Sequence, residues 1–145
     1  MPARPWVALV LVVPVACVAP ARTTSDYAGK AASTAEVVLA SVETAALVID
    51  ATRLEDAFGP YVAVTLSDAE GDAASASGTF RSLQPPDEAS DAIREELVRM
   101  LDDASELLVR ARIAARRERV EELTRAEPPL VAIAAELEGF VRRYG

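Results

Sequence analysis

Histidine and asparagine are absent from this 145-residue chain, and Cys17 is its only cysteine. Without histidine, the chain cannot form a Ser-His-Asp triad, a Cys-His pair or an imidazole metal ligand. A single cysteine allows neither an intramolecular disulfide nor a thiolate cluster for a metal ion. These absences remove the commonest catalytic and metal centres, so we expect no enzyme activity, no cofactor and no metal site.

Aromatic residues are also scarce, at 5% of the chain, although 51% of the residues are apolar. Alanine, leucine, glutamate and arginine dominate, and all four are strong helix formers. Residues 23–106 carry a net charge of −12, whereas residues 107–145 carry +2. The net negative charge of the whole chain argues against binding to nucleic acid, and the composition predicts an all-α protein.

The first 22 residues have the pattern of an export signal. Arg4 precedes an apolar run from Trp6 to Val13, and small residues follow it. An export signal needs this cationic start, apolar core and small-residue cut site. The run is shorter than the roughly 20 residues that span a bilayer, although an uncleaved anchor reaching Ala21 is an alternative. We therefore assign residues 1–22 to a signal peptide and 23–145 to one domain.

Two cleavage sites compete within this segment. Residues 14–17, Pro-Val-Ala-Cys, resemble the lipobox of bacterial lipoproteins, although the family prefers Leu, Val or Ile where this chain has Pro14. The resemblance implies a cut before Cys17, lipidation of that cysteine and stable attachment to the outer face of the cell membrane. Alternatively, the A-x-A sequence at 19–21 directs a cut after Ala21 and secretion, or Cys17 is a passive residue of the signal core.

Breaks in the helical pattern divide the rest of the chain into four segments. Prolines at 60, 85–86 and 128–129 predict helices at about 25–57, 61–83, 87–125 and 129–144. A polar cluster at 23–26 is suited to N-capping the first helix. Each segment has apolar residues at helical spacing, and the short breaks favour antiparallel neighbours. The predicted core stripe of the first segment is Tyr27, Ala31, Ala35, Val38, Val42, Ala45 and Ile49. That of the second is Val62, Leu66, Ala69, Ala73, Ala76, Phe80 and Leu83, and that of the third begins at Ile93 and Leu97. The predicted fold is an antiparallel up-down-up-down four-helix bundle. Arginine outnumbers lysine fourteen to one, and the chain is similar to small secreted helical proteins of actinobacteria with no assigned activity.

The third segment has an irregular end. Beyond Ala115 its apolar stripe would place Glu118 and Glu122 in the core, while Val120 and Leu123 lie on another face. A kink near residue 116 and a separate projecting piece at 116–127 are two interpretations. A continuous helix that acquires a new partner face is the third, and we adopt it because the stretch contains no Gly or Pro.

Two groups of residues outside the core pattern predict an interaction surface. Val37, Leu47 and Val48 point away from the apolar face of the first helix, which leaves either a patch for a partner or scattered exposed residues. Arg112, Arg116 and Arg119 belong to a basic stretch that could meet a polyanion or anionic lipid. Interleaved glutamates favour a merely solvated basic face as the alternative.

Three functions are compatible with these features. We expect a non-catalytic, membrane-tethered envelope protein that acts as a structural or protein-interaction module, attached through Cys17 to the membrane and bound to an unknown envelope partner. The alternative is a secreted or tethered protein that binds a small apolar ligand or lipid between its helices. A weak enzyme that uses carboxylates alone is the third hypothesis, and it needs convergent buried acids.

Overall fold

The computed structural model describes residues 20–53 and 59–145, which form four α-helices and no strand. In chain order these are α1 Thr24–Arg53, α2 Gly59–Arg81, α3 Glu88–Arg116 and α4 Val120–Tyr144. The predicted all-α class is confirmed for this part of the chain. Cys17 and the cut before it lie outside the described residues, as does the predicted end of the first helix at residue 57.

Helix α1 begins where a hydroxyl satisfies one of its free backbone N–H groups. Thr23 Oγ1 accepts a hydrogen bond from the N–H of Asp26 at 3.1 Å, the geometry of an N-cap. The helix packs against all three of the others. Its fully buried side chains include every predicted core position: Tyr27, Ala31, Ala35, Val38, Val42, Ala45 and Ile49.

Helix α2 buries the alternating stripe that its sequence predicts. Its buried apolar residues are Val62, Leu66, Ala69, Ala73 and Phe80, and Leu83 is buried just beyond its end. Ala76 is only partly buried. The tyrosine ring of Tyr27 in α1 lies 5.6 Å from the Phe80 ring, so the start of α1 packs against the end of α2.

Helix α3 ends at Arg116, so the predicted continuous helix over 87–125 is wrong. The backbone N–H of Arg119 donates to the carbonyl of Ala114, and that of Glu118 donates to Ala115. These two bonds form a Schellman motif, which ends a helix through one residue in the left-handed conformation. Glu118 is that residue, with a φ of 54°. The motif normally uses glycine, and because glutamate occupies the position here, no residue in the sequence indicates the end of the helix.

Helix α4 starts at Val120, nine residues earlier than the predicted start at 129. Pro128 and Pro129 lie inside it rather than before it. A proline inside a helix leaves the carbonyl four residues earlier without its bond. Both prolines are exposed, which lets water reach this side of the helix. Leu123 is buried one heptad before Leu130, so the segment before the prolines joins the same core as the segment after them.

One apolar cluster unites the four helices. Among the described residues, α1 packs against α2, α3 and α4, while α3 also packs against α2 and α4. No contact joins α2 to α4 within those residues. The four helices therefore form a ring in which α1 and α3 also pack against each other across the centre, so each of these two helices packs against all the others.

Candidate interaction surfaces

The α1 residues predicted for the interaction surface separate into two environments. Val37 and Leu47 are exposed, by 47% and 71% of their surface. Val48 is buried, with 6% exposed, so the prediction for this residue is wrong. Because α1 has a helix on each side as well as one across the core, its buried arc is wider than one stripe, and Val48 lies within it.

Arg112 is an internal link rather than an exposed cation. Its guanidinium donates from Nε and Nη2 to the two carboxylate oxygens of Glu70, the second bond measuring 3.3 Å. Both side chains are about three-quarters buried, so the pair joins α3 to α2. The hydrogen bond from Arg112 to Glu70 raises the pKa of the guanidinium. The prediction that Arg112 serves an outside partner is not supported by this position.

Arg116 and Arg119 are both exposed at the connection between α3 and α4. The Arg119 guanidinium pairs with Glu122 at 3.1 Å. Both arginines line a groove of about 500 Å³ that the starts of α2 and α4 also border. The structure therefore brings these two predicted residues together in one groove, which neither Val37 nor Leu47 lines.

Two further grooves run along the sides of α1. The groove between α1 and α2 has a volume of about 570 Å³, and Val37, Ala40, Asp68 and Asp72 line it. The groove between α1 and α4 has a volume of about 470 Å³. Its lining combines four apolar residues with three carboxylates: Ala46, Leu47, Val131 and Ala134, with Glu43, Asp50 and Glu127.

The carboxylates beside these grooves differ in their partners. Arg53 pairs with Glu127 at 3.0 Å and with Asp50 at 3.6 Å. Within the described residues, Glu43, Asp68 and Asp72 take part in no ion pair, and all three are exposed. The two grooves therefore carry uncompensated negative charge on both sides of an apolar ridge on α1.

Sequence reasoning missed Arg94, which ties the end of α2 to α3. Its guanidinium donates to the carbonyl of Leu83 at 2.6 Å and to that of Arg81 at 2.9 Å. Carbonyls at a helix end lack partners within the helix, and here the arginine supplies them. The only signal in the sequence is its position beside Ile93, at the border of the predicted α3 core stripe.

The described residues offer little for metal binding. No group of three or more acidic, histidine or cysteine side chains is placed to hold an ion within 20–53 and 59–145. Of the helices described, only α1 is long and apolar enough to cross a membrane, with a mean hydropathy of 1.6 in its best window. The core helix of a soluble protein and a signal sequence near the N-terminus have the same length and composition, and 44% of this stretch of α1 is buried, so these properties are weak evidence for a membrane span.

Comparisons with known proteins give no relative from which a role could be transferred. No protein-family model, curated protein or solved structure matches this chain. The function is therefore inferred from the sequence and the surfaces of the chain itself.

Proposed function

We propose that this chain is a non-catalytic envelope protein, tethered to the outer face of the cell membrane through a lipidated Cys17. Its helical domain acts there as a structural or protein-interaction module. The observation that carries the proposal is the position of a single cysteine at the end of an export-signal pattern, only seven residues before the first helix.

The segment before α1 supports the cut before Cys17. Ala21 belongs to the buried core cluster, with 9% of its surface exposed. The backbone N–H of Arg22 donates to the carboxylate of Asp26 at 3.3 Å. A cut before Cys17 keeps Ala21 in the folded domain, whereas a cut after Ala21 removes that packing. Seven residues span at most about 25 Å, so a lipidated Cys17 holds the start of α1 close to the membrane.

The proposed topology is an up-down-up-down bundle, and cross-helix contacts support each reversal. Tyr27 at the start of α1 packs against Phe80 at the end of α2. Arg53 at the end of α1 pairs with Glu127 near the start of α4. Arg81 at the end of α2 pairs at 2.7 Å with Asp102 in α3, while Glu70 nearer the start of α2 pairs with Arg112 further along α3. Arg143 at the end of α4 pairs at 2.6 Å with Glu96 near the start of α3.

This topology places the connection between α3 and α4 at the end of the bundle opposite the tether. The start of α1 lies beside the start of α3, because the Thr24 hydroxyl donates to the Asp87 carboxylate. The connection between α3 and α4 then lies at the far end, about 40 Å away for a 29-residue helix. With the bundle upright on the membrane, Arg116 and Arg119 lie far beyond the screening length of about 8 Å at physiological ionic strength, so their attraction to anionic lipid is screened.

Metabolic lipid labelling followed by fractionation tests the proposal. Cells producing the full chain, or its Cys17→Ala variant, are fed an alkyne fatty acid and separated into membrane and soluble fractions. We expect the wild type to be labelled and membrane-bound, and the variant to lose the label. A Cys17→Ala protein that keeps its label, or an unlabelled wild type in the medium, contradicts the proposal.

A further inference from the structure

The outward side of α1 carries a second apolar seam besides the one that faces the core. Val37, Ala40, Thr44 and Leu47 follow each other at intervals of three, four and three residues. That spacing places them on one face of the helix, as in a seam that packs against another helix. Val37 and Leu47 are nevertheless exposed, and Val131 of α4 lines the groove beside Leu47 with 54% of its surface exposed.

Small side chains on this seam let another backbone approach closely. Ala40 lies between Val37 and Leu47, and Ala46 and Ala134 form the floor of the groove towards α4. From residue 37 to residue 47 the seam extends about 15 Å, or nearly three helical turns. Its length and its flanking grooves fit an α-helix laid along α1, a recurring mode of peptide recognition.

The charges beside the seam determine which helix fits. Glu43 lines the groove towards α4, and Asp68 and Asp72 line the groove towards α2. All three are exposed and without an ion pair among the described residues. A second copy placed on the same face would set these carboxylates against their equivalents, and anionic lipid would meet the same repulsion. A helix with basic flanks would instead pair with them.

We infer that the seam of α1, with the acidic grooves on either side, is a docking face for a cationic amphipathic helix of a partner protein. Leucine, isoleucine or valine side chains of that helix at i, i+3, i+7 and i+10 lie along the seam formed by Val37, Ala40, Thr44 and Leu47. Its lysine or arginine flanks pair with Glu43, Asp68 and Asp72. This inference rests on the proposed interaction function and specifies the class of its partner.

A synthetic peptide tests the face directly. The probe is a fluorescent, capped 14-residue peptide with leucine at heptad positions a and d and lysine elsewhere. It is titrated against the full chain in nanodiscs of zwitterionic lipid at 150 mM salt, with empty nanodiscs as the blank. Two comparison probes are used. One has the same composition in scrambled order, and the other has glutamate in place of lysine. We expect the patterned lysine peptide to bind at least tenfold more tightly than either.

Paired variants separate the face from general attraction to an acidic protein. The double variant Val37→Ser with Leu47→Ser should weaken peptide binding at least tenfold. Its control is Ile113→Ser with Val120→Ser, which removes exposed apolar side chains outside the seam. The control should change peptide binding less than twofold. Glu43→Gln with Asp72→Asn should weaken binding at least threefold. The control Glu95→Gln with Asp103→Asn removes the same charge from exposed positions of α3 and should change binding less than twofold.

Three results would overturn the inference. The scrambled peptide could bind as tightly as the patterned one, or the α3 and α4 controls could weaken binding as much as the α1 variants. Sedimentation could also show a dimer of the wild type that Val37→Ser with Leu47→Ser dissociates, which would assign the face to a second copy.

Circular dichroism verifies that each variant keeps its helices. Cys17→Ala should leave peptide binding unchanged, so failure of the tether and failure of the docking face are distinguishable.

Discussion

Asp87 connects the starts of two helices through one carboxylate. It caps α3 by accepting from the N–H of Ser90 at 2.8 Å, and it also accepts from the hydroxyls of Ser90 and Thr24. The bond from Thr24, followed by those from Ser90, lowers the pKa of Asp87 below its ordinary value of 3.8. Folding therefore favours the charged carboxylate.

This lowered pKa predicts a pH-dependent stability. The contribution of Asp87 is fully present above its unfolded pKa of about 4 and is lost as the pH falls through the folded pKa. Because asparagine also caps helices, Asp87→Asn removes the charge while keeping a cap. We expect the wild type to melt above the variant at pH 7, and the gap in Tm to shrink below about pH 4. A gap that stays constant from pH 7 to pH 2.5 contradicts this assignment.

Glu118 occupies a backbone position that suits glycine. An L-residue in the left-handed conformation costs about 1–2 kcal/mol, while the added flexibility of glycine in the unfolded chain costs about 0.5–1 kcal/mol. We therefore expect Glu118→Gly to raise the free energy of unfolding by about 0.5–1 kcal/mol in urea titrations. Glu118→Ala is the matched control, because it removes the charge but keeps the strain. Equal effects of the two substitutions would show that the conformation is not responsible.

At the residue scale, the sequence predicts burial better than pairing. Regular spacing identified the core residues of α1 and α2, since one face of a helix must be apolar to be buried. It misplaced Val48 because the width of a buried arc depends on how many helices surround it. It misassigned Arg112 and missed Arg94 because their partners, Glu70 and the end of α2, are distant in sequence.

At the scale of elements, the first half of the chain was predicted more closely than the second. Capping residues and proline breaks predict the positions of α1, α2 and the start of α3. The break at residues 117–119 follows from no such signal, because glutamate takes the place of glycine. The sequence predicts that α4 starts at its two prolines, but a solvent-exposed site tolerates the loss of the backbone hydrogen bonds that prolines remove.

The double proline in α4 leads to a prediction about helix content. The seam Leu123, Leu130, Ile133, Leu137 and Phe140 keeps helical spacing across the prolines. Replacing both prolines with alanine should therefore leave the core contacts intact and restore two backbone bonds. We expect Pro128→Ala with Pro129→Ala to raise the free energy of unfolding by about 2 kcal/mol, while the helical signal in circular dichroism stays unchanged.

The alternative outcome is equally measurable. If α4 began at residue 129, as the sequence predicts, the double substitution would allow the helix to extend over residues 120–128 and increase the helical signal. Pro85→Ala is the control, because this proline lies in the connection between α2 and α3 and outside both helices. We expect it to change neither the helical signal nor the stability by a comparable amount.

At the scale of the whole molecule, charge and exposure give the helical domain two distinct regions. The α1 face combines exposed apolar residues with unpaired carboxylates, whereas the α3–α4 connection carries exposed arginines. The sequence predicted both regions as a single set of interaction residues, because it could not show that they lie on different parts of the domain. It also could not reveal the acidic grooves, which depend on residues that α2 and α4 contribute.

The central claim is that the chain is cut before Cys17 and held by lipid on that cysteine. Mass spectrometry of the N-terminal peptide of the mature protein, recovered from cells that process lipoproteins, tests it most directly. We predict a peptide that begins at Cys17, carries a diacylglyceryl group and still contains Ala21. A mature chain that begins at Arg22 without lipid would contradict the tether and assign the protein to secretion.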